Sequence, residues 1–187
     1  MKYKDVAIRK YVEDLAAKTS TPGGGSAAAL TAAMAAALVG MVVNFTLGKP
    51  KYMKFEKELS LVLLKSEKLR LEFLRLLDLD IAAYESKNMR DALSVPFMVA
   101  RLCLEGIKLC PELINKSNVN LISDVAVAAV FFESAFSAAY FNVEINLRAI
   151  GDDRSTLIMR KELNQKSKVV KKIRKDVEER VGKVIRG

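Results

Sequence analysis

Thr21-Pro22-Gly23-Gly24-Gly25-Ser26 opens directly into Ala27–Val43, a stretch rich in alanine and free of charge. Three consecutive glycines leave the backbone free to adopt positive φ and remove every side chain that could block a ligand. Ser26 is a preferred residue type for capping the helix that follows. A glycine turn feeding a helix N-terminus offers free N–H groups and the positive end of the helix dipole, a seat for an anion. The reading from this stretch is a small-residue helix with an open polar mouth. Its alanines at Ala28, Ala32, Ala35 and Ala36 permit close approach of neighbouring helices. No charge occurs between Thr19 and Gly48, a span long enough to cross a membrane. Its alanine, glycine, serine and threonine content favours a buried central helix instead. The charged, amphipathic segment before it does not have the form of a signal peptide.

Working outward, the remaining chain keeps helical periodicity. Ile8, Tyr11, Val12 and Leu15 recur at helical spacing within Asp5–Lys18. The central helix is expected over Ser26–Leu47, ended by Gly48-Lys49-Pro50. Tyr52 to about Glu85 reads as one long helix with a wide apolar face. A break follows near Ser86–Asp91, and Pro96 is tolerated near a helix start or as a kink. Pro111 marks a further break, and Asn115–Asn120 is a polar loop. Ser123 is expected to cap a helix running to about Ile150, which Gly151 ends. Leu163, Val170, Ile173, Val177, Val181 and Val184 form one seam of a last helix. No segment alternates as a strand would. The fold class expected is all-α: a single domain over residues 1–187, a bundle of about six helices, several long, around the alanine-rich one.

Composition narrows the chemistry. The 187 residues include 51% hydrophobic and 7% aromatic residues, 4 prolines and no histidine. The commonest general base and metal ligand is therefore absent, and proton transfer must use Asp, Glu, Lys, Tyr or Cys. Cys103 and Cys110 are too far apart on one helix for a disulfide; they read as small core residues in a reducing cytoplasm, and no metal site is expected. The net charge of +9 is concentrated in residues 154–187, which hold 12 basic and 4 acidic residues. That helix contains no aromatic residue, so it reads as a solvated charged helix, with polyanion binding as the alternative. Nucleic acid is not an expected partner.

Polar residues stand out where burial is expected. Asp80 lies among Leu79, Ile81, Ala82 and Ala83. Asp124 falls in the first turn of its helix, where it could simply complement the dipole. Asn142 and Asn146 share one helix face and could be amides that link helices. Asp80 could pair with a lysine or arginine; alternatively, a buried carboxylate has a raised pKa and can shuttle protons near neutrality.

Four stretches carry a resemblance. Thr21–Leu30, Asn44-Phe45-Thr46-Leu47-Gly48-Lys49-Pro50-Lys51-Tyr52, Asp80-Ile81-Ala82-Ala83-Tyr84, and Asn118–Asp124 with Asn142–Leu147 resemble, in order, the signatures of the cyclodeaminase/cyclohydrolase family of folate enzymes. The resemblance implies an all-helical, usually dimeric protein that binds tetrahydrofolate one-carbon adducts. It implies methenyltetrahydrofolate cyclohydrolase activity, converting 5,10-methenyltetrahydrofolate and water to 10-formyltetrahydrofolate. The alternative is formiminotetrahydrofolate cyclodeaminase, which releases ammonia as it forms the methenyl compound. A non-catalytic folate-binding protein and a purely structural helical dimer are further readings. Neither reaction needs a metal or a tightly bound cofactor; the tetrahydrofolate derivative, with one or several glutamates, is the substrate.

Carried onto this chain, the resemblance makes Asp80 and Asp124 candidates for the acid–base group and a pterin anchor, in either assignment. Gly23, Gly24, Gly25 and Ser26 would supply backbone donors and room for a flat ligand. Lys49, Lys51 and Tyr52 would meet the glutamate tail, and Asn118 and Asn120 would line the pocket. One departure concerns the stretch between Asp80 and Pro96, which is shorter than the family's variable, charged segment. The absence of a formiminotransferase domain from the sequence favours the cyclohydrolase.

Overall fold

The computed structural model describes residues 2–151 and 153–187. In chain order the α-helices are α1 (Ile8–Ala16), α2 (Gly24–Asn44), α3 (Glu56–Glu85), α4 (Met89–Ile107), the one-turn α5 (Cys110–Leu113), α6 (Ile122–Ile150) and α7 (Arg154–Arg186). Short 3-10 turns cover Tyr3–Asp5, Pro50–Phe55 and Val119–Leu121. No strand occurs among the described residues.

The alanine-rich α2 is the central helix and packs most extensively on α3 and α6; α4 packs on α6 and α3, and α7 covers α6 and α4. By length and composition alone, α2 and the span Val119–Ile150 could each cross a membrane. In the fold, Ala28, Ala29, Ala32, Ala35, Val39 and Val42 of α2 are buried against the other helices. Small side chains allow that approach on several sides at once. Gly40 faces Ser66 of α3, just as Gly25 faces Asp80, so α2 and α3 run antiparallel. Phe73 of α3 and Phe132 of α6 meet in the core, with ring centroids 6.3 Å apart.

Gly106 of α4 marks a tight crossing with α6. A Cβ there would lie 3.0 Å from Cδ1 of Phe132 and nearer still to Cε1 and Cζ. Gly106→Ala is therefore expected to lower the thermal midpoint. Overpacking costs about 1–3 kcal/mol, more than the up to about 1 kcal/mol that alanine returns in helix propensity. An unchanged melting curve would show that the ring moves aside freely.

Several expected boundaries move. Gly23, not Ser26, is the N-cap of α2; Ser26 lies in the first turn, and its hydroxyl donates to the Gly23 carbonyl at 2.9 Å. The two glycines after Gly23 take helical angles at a modest entropic cost, so α2 starts earlier than a serine cap would place it. Gly23, Gly24 and Gly25 do not adopt positive φ; Gly48 and Gly151 do, at the ends of α2 and α6. Ser123 is likewise no cap, since α6 begins at Ile122 after a 3-10 turn. The helix expected from Tyr52 starts instead at Glu56, after the 3-10 turn Pro50–Phe55. Asp153 and Thr156 form a capping box at α7. The seam of α7 buries Leu163, Val170, Val177 and Val181, while Val184 in the last turn is 40% exposed. Lys161, Lys168, Lys172 and Lys175 line the opposite, exposed side.

Candidate active site

The first turn of α2 and the last turns of α3 meet. A Cβ on Gly25 would lie 2.6 Å from Cγ of Asp80 and 2.7 Å from Oδ2, with Oδ1 nearer still. The carboxylate occupies the space that any other residue at position 25 would fill. The Ser26 N–H lies beside it, and burial pushes its pKa up to about 6. The N–H favours the ionised form, but desolvation dominates. No lysine or arginine pairs with Asp80 among the described residues, so the ion-pair reading of this residue does not hold. A half-buried carboxylate with its midpoint near neutrality can both accept and return a proton.

Tyr11, the buried residue of α1, contributes to this turn without having been singled out in the sequence as more than core. Its hydroxyl lies 3.0 Å from Ser26 Oγ. Asn142 of α6 lies against Gly24: a Cβ there would be 3.5 Å from Nδ2, an ordinary contact. That amide also donates to the Ala138 carbonyl of its own helix at 2.9 Å.

Asn146 has a structural task. Pro96 sits inside α4 and has no N–H, which leaves the Ala92 carbonyl without its helical donor. Asn146 Nδ2 donates to that carbonyl at 2.7 Å, joining α6 to α4. Replacing Asn146 by Ala is expected to cost about 1–3 kcal/mol by stranding a carbonyl. A thermal melt equal to that of the unaltered chain would contradict this.

The remaining candidates lie elsewhere. Gly24 meets Asn142 at one end of α2, whereas Thr46, just past the other end, accepts the Asn118 N–H at 2.9 Å through Oγ1. α2 and α6 are therefore antiparallel. The 21 residues of α2 span about 30 Å, which separates two clusters. One holds Gly23–Ser26, Asp80 and Asn142. The other holds Lys49, Lys51, Tyr52, Asn118, Asn120 and Asp124. A single chain does not bring Asp80 and Asp124 together.

The second cluster is well ordered. The Asn118 side chain accepts from the Asn120 N–H at 3.3 Å, and Tyr52 Oη accepts from the Val119 N–H at 3.4 Å. Tyr52 is buried, with Lys51 Nζ 5.5 Å from its ring centroid. Lys49, Lys51 and Asn120 are exposed, and Asp124 is half-buried in the first turn of α6. A cleft of about 520 Å³ opens beside α3 among Lys2, Lys4, Arg75, Asp78 and Glu85. Another of about 540 Å³ lies among Phe141, Ile145, Arg148 and Arg160. Asp80 lines neither of these two clefts.

Comparison with known proteins gives this arrangement its place. A family model described as formiminotransferase-cyclodeaminase matches residues 7–87 and 86–165. The chain belongs to the formiminotransferase-cyclodeaminase family. Among proteins similar to this family member is the methenyltetrahydrofolate cyclohydrolase of Methylorubrum extorquens, 36% identical, over 79% of this chain and 82% of that protein. The formimidoyltransferase-cyclodeaminase of Rattus norvegicus is 28% identical over 80% of this chain, but the match spans 32% of that longer protein. The crystal structure of formiminotetrahydrofolate cyclodeaminase from Thermotoga maritima superposes with a TM-score of 0.83 at 28% identity, covering 98% of each chain. The two matched stretches of this formiminotransferase-cyclodeaminase family member meet at residues 86–87. There the structure has only the connection Ser86–Asn88 between α3 and α4, so the short segment after Asp80 is a shortened helix-to-helix turn.

Proposed function

We propose that this chain is a methenyltetrahydrofolate cyclohydrolase of folate one-carbon metabolism. The observation that carries the reading is the Asp80 carboxyl held against Gly25 and uncompensated by any cation, where burial pushes its pKa up to about 6. The 36% identity to the Methylorubrum extorquens cyclohydrolase supports the choice of substrate. The bridging carbon of 5,10-methenyltetrahydrofolate shares a positive charge with its two nitrogens. An ionised Asp80 beside it stabilises that charge and accepts a proton from the attacking water. The C–O bond forms and a tetrahedral carbon results. The same carboxyl, now protonated, gives its proton to N5 as the C–N5 bond breaks. The hydroxyl on the former bridge loses its proton to solvent, leaving the 10-formyl group. This scheme calls on no tightly bound cofactor, and the buried free thiols Cys103 and Cys110 suit a cytoplasmic setting.

The second reading is formiminotetrahydrofolate cyclodeaminase, favoured by the Thermotoga maritima structure, whose match covers 98% of both chains. There N10 attacks the formimino carbon, and Asp80 would carry the proton from N10 to the departing ammonia. Purified protein offered methenyl- and formimino-tetrahydrofolate separately, with absorbance and ammonia release followed, distinguishes the two. Inertness toward both, with folate still raising thermal stability, would leave a binding protein.

The functional unit in this reading is a homodimer. Ala27, Met34 and Met41 on α2 and Phe45 just past its end, with Val127, Phe131, Phe141 and Ile145 on α6, recur at helical spacing along one outer side of the bundle. Phe141 is 72% exposed, Ile145 61% and Phe45 57%. A second copy packed two-fold on this side, with α2 antiparallel to its counterpart, sets the Asp80 end of one chain against the Lys49–Tyr52 and Asn118–Asp124 end of the other. The exposed Lys49 and Lys51 then have carboxylates of the glutamate tail within their reach. Asp80→Asn and Asp124→Asn, each inactive alone, should recover about a quarter of the wild-type activity when randomly mixed as dimers. No recovery in verified mixed dimers would remove the shared site.

A further inference from the structure

The glycine turn is held from outside by a chain of hydrogen bonds. Ser26 Oγ donates to the Gly23 carbonyl at 2.9 Å. Its only proton is thereby used, so the 3.0 Å contact with Tyr11 has the phenol as donor and Ser26 as acceptor. The Tyr11 ring is almost wholly buried and stands edge-on to Tyr3 at 5.4 Å. Tyr3 in turn donates to Asp14 Oδ2 at 2.7 Å, and its backbone N–H donates to Asp78 of α3 at 2.6 Å. Ser26 thus has its hydroxyl fixed on two sides while its N–H stands beside Asp80 and favours the ionised carboxyl. Elsewhere α1 grips the bundle lightly: Ile8 is 76% exposed and Val12 53%.

We propose that Tyr11 is a positioning residue that acts on Asp80 through Ser26, holding the first turn of α2 closed so that the Ser26 N–H stays on the carboxylate. The proposal rests on the reading of Asp80 as the reacting carboxyl. The groups that face Asp80 make such a coupling readable. α2 carries no charge, α6 presents the neutral Asn142 at neighbouring Gly24, and Tyr11 from α1 is the titratable side chain coupled to it. Burial and the Ser26 N–H set its titration, with no charged side chain of α3 or α4 adding to them. Burial also raises the Tyr11 pKa, which keeps the phenol a donor across the working range.

The test follows the Asp80 carboxyl directly, by 13C NMR of aspartate-labelled protein, with Asp80→Asn to assign the resonance. Tyr11→Phe keeps the ring and its packing and removes only the donor. Loss of a hydrogen bond to the charged form raises a carboxyl pKa. The midpoint near 6 should therefore move up by about half a unit or more. Ser26→Ala should move it in the same direction. In the Ser26→Ala background, Tyr11→Phe should add nothing further, since the coupling runs through the serine hydroxyl. An unchanged midpoint in Tyr11→Phe, or shifts that simply add in the double variant, overturns the proposal. Should Tyr11→Phe fail to fold, Ser26→Ala alone decides by the same criterion. In turnover, the acid limb of the rate profile should move with the NMR midpoint, and kcat should fall more than KM rises. The NMR result needs no substrate. Failure of the functional reading, seen as an Asp80→Asn enzyme with full activity, is thus separate from failure of the coupling.

Discussion

Asp80→Asn is expected to lower kcat by about 10²–10⁴-fold, the range that a positioned general acid or base supplies, while the protein stays folded. Asparagine matches the carboxyl in shape and can still accept from the Ser26 N–H, so the turn survives and the proton carrier is lost. The pH dependence distinguishes this from a packing defect. In the unaltered enzyme the rate should rise with pH through about 6, as the carboxylate becomes available to take a proton from water. In the variant that limb should vanish with the activity. Stability should move the other way. The pKa is raised in the folded state, so the stability that the protonated group contributes is fully present below about pH 4. It is lost as pH rises through about 6. At pH 7.5 the unaltered chain holds a desolvated charge that asparagine does not have. The variant should then be more stable there by on the order of 1–2 kcal/mol, and about equal at pH 4. A variant that melts lower than the parent at pH 7.5 would mean that the carboxylate is compensated by a partner after all.

Gly25→Ala should be nearly as damaging, and its neighbours should not be. A methyl at position 25 falls within 3 Å of Cγ and both oxygens of Asp80. Aspartate has too short a stem to lean away and stay in place, so the carboxylate must leave the Ser26 N–H. A displacement of about an ångström at a reacting group can cost on the order of 10²-fold in rate. Alanine is also the better helix former by about 1 kcal/mol, so the thermal midpoint should change far less than the activity. At Gly24 the methyl meets Asn142 at an ordinary 3.5 Å, and at Gly23 it meets nothing within 4 Å. Gly23 is extended, with φ −138 and ψ −163, angles open to any residue. Gly23→Ala and Gly24→Ala should retain most activity. Steady-state kinetics on the three alanine variants check the contrast, and a uniform loss across all three would assign the run to flexibility rather than to the room it leaves for Asp80.

That contrast shows where the sequence was readable. Helical class, the central place of the charge-free segment and the buried seam at Leu163, Val170, Val177 and Val181 all follow from periodicity, because burial acts on residues a few positions apart. The meaning of the glycine run does not, because the group that requires Gly25 lies 55 residues away on α3. From the run alone, positive φ was the natural expectation; the structure uses the missing Cβ instead. Tyr11 was legible only as a core residue, since its hydroxyl has a partner only once α1 lies across the start of α2. The helical spacing marks Asn146 as a link between helices, and it is one. Its partner, the carbonyl four residues before Pro96, could have been suspected from the proline. The resemblance pairs Asp80 with Asp124, and motif order along a chain carries no information on which ends of two antiparallel helices coincide.

The absence of charge along α2 has a consequence for ionic strength. A carboxyl whose midpoint is set by a nearby cation or anion drifts as added salt screens the pair, because screening acts on charge–charge interactions. Asp80 is held up by burial, with only a backbone N–H opposing it. Its inflection should therefore stay fixed from dilute buffer to molar salt, whereas the attraction proposed between the anionic glutamate tail and exposed Lys49 and Lys51 should weaken. Substrate capture and proton transfer would thus respond to salt independently, one through KM and the other scarcely at all.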